Sequence, residues 1–166
     1  MVQPEAWLRG PVPGIPALLQ PVAHSLIQCR AELTERLTGL TPDQIWARPF
    51  GGASIGFHAR HAGGSLDRLF TYARGERLSP AQQAALAVEA DPDFTPDIDR
   101  TLVAAFEETV ERSLEQLRIT SETTLLEVRG VGRAQLPSTV LGVLFHAAEH
   151  TQRHVGQLVT TAKACR

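Results

Sequence analysis

Three of the six histidines in the chain, His146, His150 and His154, recur four residues apart in the stretch "LFHAAEHTQRHVGQL", Leu144 to Leu158. On a helix, residues four apart lie one above the other, so such a stripe can aim several imidazoles at one point. The three are not equivalent. Set against the apolar residues Val140, Val143, Leu144, Ala147 and Leu158, the spacing turns His150 and His154 inward, while His146 drifts toward the polar edge that carries Glu149 and Arg153. Two inward imidazoles four apart are the arrangement of helical zinc sites, and two buried rings lose hydration unless a partner, such as a cation, meets their lone pairs. The plain alternative is a pair of core-edge histidines satisfied by carbonyls or water.

Two ligands do not close a tetrahedral site, so a third must come from another segment. In "SIGFHARHAGGSLDRL" both His58 and His61 are available, and helical periodicity slightly favours His58. His24 stands alone in its segment and reads as an ordinary packed or exposed residue.

Positioning these residues requires at least two facing helices. The pattern "ALLQPVAHSLIQCRAELTERLTGL", with Leu18, Val22, Leu26, Cys29, Leu33 and Leu37 at steps of three and four, predicts a first helix ending near Gly39. Thr41-Pro42-Asp43 reads as a short turn in the connector that follows. Ser54 caps a second helix that stops at Gly75, and a short helix starts at Ser79-Pro80. Asp97 opens a third long helix with Leu102, Phe106, Val110, Leu114 and Leu117 in register. Apolar and β-branched residues around Gly130-Val131-Gly132 predict a small hairpin, and Pro137-Ser138 starts the last helix, which runs to about Lys163. The expectation is an all-α four-helix bundle, a single domain over residues 1–166, with a Pro-rich lead over residues 1–16 and a short hairpin before the last helix.

Composition narrows the function classes. A 166-residue chain with 43% hydrophobic and 20% charged residues is globular, and a net charge of -2 does not favour nucleic acid or an anionic membrane as partner. Four prolines from Pro4 to Pro16 leave no uninterrupted apolar stretch, so the lead does not read as a signal peptide, and no run approaches the ~18 apolar residues of a membrane span. Cys29 and Cys165 are too few and too far apart for a disulfide framework and read as free thiols in a reducing cytoplasm. No P-loop or dinucleotide fingerprint competes with the histidines.

Taken together, "SIGFHARHAGGSLDRL" and "HAAEHTQRHVGQL" resemble the DinB-like (DinB/YfiT) family of metalloproteins. The resemblance covers nearly the whole chain in helix order and spacing. It implies a four-helix bundle whose metal is held by one histidine of the second helix and by a His-x-x-x-His pair just before Gly-Gln on the last. Here those positions are His61, in His61-Ala62-Gly63, and His150 with His154, ahead of Gly156-Gln157. His58 and His146 then stand beside the ligands, holding their rings or lining the pocket. The chain departs from the family pattern at Arg153, Val155 and Ala53, which bears on the substrate pocket more than on the metal.

The resemblance further implies a divalent metal, zinc or nickel, with an open fourth position. That position can activate a low-molecular-weight thiol for S-transfer to a small-molecule substrate, or activate water for hydrolysis, with zinc bringing the pKa of its water toward ~7. A homodimer is implied as well. A non-enzymatic metal-binding or stress-response bundle is the remaining reading.

Overall fold

The computed structural model describes residues 4–165. Four long helices make the bundle: α1 (Gln20–Leu37), α3 (Ile55–Ala73), α5 (Ile98–Ile119) and α6 (Val140–Ala164). Two short helices, α2 (Pro42–Trp46) and α4 (Pro80–Ala87), lie in the connections, and strands β1 (Val128–Val131) and β2 (Leu136–Thr139) form an antiparallel hairpin before α6. The long helices pack in the cyclic order α1, α6, α3, α5, so α3 and α6 are neighbours along most of their length. Leu26, Leu33, Leu66, Phe106, Leu117, Leu144 and Leu158 fill the centre, each at most 1% exposed. This is the all-α bundle with a hairpin that the sequence predicts.

The ends differ from expectation in instructive ways. α1 begins at Gln20, with Pro21 in its first turn and a 3-10 turn over Ala17–Leu19 ahead of it. The tighter winding of the 3-10 turn rotates Leu18 outward, 60% exposed, and gives its place in the core to Leu19. Thr41-Pro42-Asp43 is the start of α2 rather than a free turn: the Thr41 hydroxyl accepts from the Gln44 amide, and the Gln44 side chain accepts from the Thr41 amide. Threonine at the cap, proline next and glutamine at the third position together satisfy the exposed donors of a helix start. Pro137 and Ser138 belong to β2, and it is the Thr139 hydroxyl that caps α6 by accepting from Gly142.

Of the Pro-rich lead, residues 1–3 lie outside the described residues. The rest packs onto α1, where the Gln20 side chain accepts from the Val12 amide and donates to the Val12 and Ile15 carbonyls. For the site, the decisive features are the cap of α3 and its seam with α6. The Ser54 hydroxyl accepts from the Phe57 amide, which fixes where the helix begins and hence which face His58 and His61 occupy.

Candidate metal centre

The seam between α3 and α6 gathers four imidazoles. His61 Nε2 stands 3.1 Å from His150 Nε2, and His58 Nδ1 stands 3.1 Å from His154 Nδ1. The rings of His61 and His150 are each within 5 Å of the His154 ring or closer, at 4.4 and 4.7 Å between centroids. One ligand atom from each of His61, His150 and His154 lies within 4.8 Å of the others, and all three residues are half-buried. Two nitrogens on one tetrahedral zinc stand about 3.3 Å apart, given Zn–N distances of ~2.0–2.1 Å, so the 3.1 Å approach of His61 and His150 suits a shared ion.

The protonation states point the same way. Burial, then the neighbouring His61, lowers the pKa of His58 below its ordinary value and brings that of His154 down to about 4. His150 is lowered by burial and by His61, against an opposing pull from Glu149. Neutral imidazole is the form that coordinates a metal.

His61 carries a further partner. Its Nδ1 lies 2.7 Å from Glu89 Oε2, and Arg68 Nη1 donates to Glu89 Oε1, also at 2.7 Å. Glu89 is 5% exposed. Burial pushes its carboxyl up, but the contacts with His61 and Arg68 outweigh that and hold it below the ordinary carboxylate range. Glu89 takes the Nδ1 side of His61, which leaves Nε2 as the atom that faces His150. Two ring nitrogens this close share either a proton or a cation, and a cation serves His154 as well. The donor set thus fits a divalent ion. Phe57 stacks on His61 with ring centroids 5.3 Å apart and meets His58 and His154 edge-on.

Two further histidines flank the group of three, one exposed and one buried. His146 is exposed, with Nδ1 2.8 Å from Glu149 Oε1; its ring lies 5.4 Å from that of His150, but it is not in the group of three. His58 is buried against His154 and forms part of the wall of a cavity of about 520 Å³ that also involves Phe50, Arg153, Gln157 and Thr160. That cavity lies beside the three imidazoles, joined to them through the His58–His154 contact.

Nothing in the sequence pattern marks Glu89 or Arg68 as part of the site. Glu89 follows α4 in a stretch without helical periodicity, and nothing in its spacing relates it to His61. The one trace is the glycine pair after His61. A Cβ at Gly64 would come 2.5 Å from Glu89 Oε1 and 2.8 Å from Arg68 Nη1, so the glycine leaves the room that the carboxylate occupies.

No curated protein matches the chain. A family model described as the DinB superfamily matches residues 25–158, from the second turn of α1 to the Leu158 that follows the histidine stripe. With that match over most of its length, and a helical bundle of the corresponding order, the chain belongs to the DinB superfamily.

Proposed function

We propose that His61, His150 and His154 hold a divalent metal ion, zinc or nickel, and that the centre transfers a low-molecular-weight thiol to an electrophilic small molecule. The observation that carries the metal part is the convergence of three imidazole nitrogens within 4.8 Å from two packed helices. When bound, such an ion supplies Lewis acidity, stabilising the anionic form of a thiol or water at its remaining position. His61 and His150 orient that position, Phe57 stacks on the His61 ring, and the cavity walled by His58 and Arg153 offers room for the small molecule.

In the transfer, the thiol gives its proton to solvent, its sulfur forms a bond to the electrophilic carbon, and the leaving group departs with the electrons of the broken bond. An external thiol is favoured because the protein's own Cys29 is fully buried and burial pushes its pKa up to about 12. We place the protein in the cytoplasm, acting as a homodimer on a small molecule and not on nucleic acid or a membrane. No helix among the described residues is long and apolar enough to cross a membrane.

Metal analysis of tag-free protein, followed by a screen of thiols with electrophiles, tests the reading. One metal per chain with thiol-dependent turnover supports it. Turnover of ester or amide substrates without thiol would shift it to a metal-dependent hydrolase, and folded, metal-free, inactive protein would shift it to a non-enzymatic bundle.

A further inference from the structure

We propose that Glu89 is a positioning residue, which locks His61 in the Nδ1-protonated tautomer so that Nε2 points into the three-histidine group. The proposal rests on the metal reading only for its consequence, since the lock itself exists in the metal-free protein. Three independent features build it. The first is the His61–Glu89–Arg68 chain, with 2.7 Å at each link and side chains of Glu89 and Arg68 only 7% and 10% exposed. A carboxylate so placed fixes both the proton position and the ring rotation of an imidazole, the part that carboxylates play behind metal-bound histidines generally.

The second feature is the way the carboxylate is delivered. Arg60, on the turn of α3 next to His61, donates to the carbonyls of Val88 and Asp91, at 3.1 and 2.6 Å, and so grips the chain on both sides of Glu89. The Arg60 guanidinium stacks 4.7 Å above the Trp46 ring, and the Trp46 indole N–H donates to the Asp93 carbonyl at 2.6 Å. A segment without regular structure is thereby clamped to α3 at several points. The third feature is Gly64, whose missing side chain makes the space that Glu89 and Arg68 share.

The test uses full-length, metal-free protein and ¹⁵N NMR of the histidine rings, then zinc titration against a competing chelator. Wild type should show His61 protonated on Nδ1. The double variant Glu89→Leu/Arg68→Met removes the acceptor together with its counter-charge, a replacement that buried ion pairs often tolerate. It should show a mixture of His61 tautomers and weaken zinc roughly 10–100-fold. Gly64→Ala, which displaces the carboxylate without removing a charge, should do the same to a smaller degree. A wild-type His61 protonated on Nε2 would overturn the proposal. So would a double variant that melts lower yet binds zinc within about threefold of wild type, because that is the mark of a purely structural pair. If wild type binds no metal, the metal reading fails while the tautomer still decides the role of Glu89.

Discussion

His61 and His150 meet across the α3–α6 seam with their Nε2 atoms 3.1 Å apart, although 89 residues separate them in the chain. Neither helix alone can hold an ion firmly, so the affinity depends on both. His61→Ala and His150→Ala should each abolish zinc binding, since loss of either leaves two ligands. His146→Ala should leave affinity within roughly tenfold, as its ring is exposed and turned to Glu149. Titration with a metal-sensitive dye reads all three, and equal losses at His146 and His150 would mean that the stripe is wrongly divided.

Removing the metal should lower stability without unfolding the chain, because the bundle has a large apolar core of its own. Metal at a hundredfold excess over its dissociation constant contributes about 2.7 kcal/mol. For a domain of this size that amounts to roughly 5–10 °C in melting temperature. Thermal scans with and without a chelator measure it. Complete unfolding on chelation would show that the ion is a fold-determining clip instead.

Much of this arrangement is legible in the sequence, for a physical reason. The long helices bury one face each, so their apolar residues recur at the helical period, and the same period places His150 and His154 inward. Ser54 and Ser79 were readable as caps because a hydroxyl at a helix start has a specific donor to satisfy. Thr41 obeys the same rule, yet five residues are too few to show a period, so the sequence alone suggests only a turn there. Between His58 and His61, periodicity favours His58 and the His61-Ala62-Gly63 pattern favours His61; across the seam each ring meets one histidine of α6 at 3.1 Å, and His61 is the one within the group of three. Glu89 arrives from an irregular segment 28 residues after His61, and only Gly64 hinted that something must fit there.

The clamp that carries Glu89 also depends on Trp46, which lies flat against α3 at Gly56. A Cβ at Gly56 would come 2.6–2.7 Å from three atoms of the indole, and a rigid ring cannot yield as a flexible chain end does. Gly56→Ala should therefore destabilise the protein by roughly 1–3 kcal/mol despite the better helix propensity of alanine. Denaturant melts measure the cost. An unchanged or raised midpoint would show that α2 shifts freely, and that Trp46 is no fixed part of the clamp.

The last prediction concerns the thiols. Cys29 lies in the core of α1 with Sγ 3.1 Å from Gln152 Oε1, and burial, reinforced by the charge of Glu32, raises its pKa from 9.0 to about 12. The folded protein holds this proton more tightly than the unfolded chain does. Below about pH 9 both states keep the thiol protonated and its contribution is fully present; as pH climbs from about 9 toward 12 the unfolded chain ionises first, and stability falls. Cys29→Ala should lack this part of the alkaline loss, which a comparison of denaturant midpoints at pH 8 and pH 10.5 reads directly. At pH 8 the thiolate fraction of Cys29 is about a thousandfold below that of a thiol titrating at 9.0, so iodoacetamide should spare it until denaturant is added, while the half-buried Cys165 reacts first. The Cys29→Ser/Cys165→Ser variant should then keep any thiol-transferase activity, whereas His61→Ala should lose it together with the metal. Activity that vanished with the cysteines and survived chelation would assign the nucleophile to the protein itself and overturn the external-thiol reading.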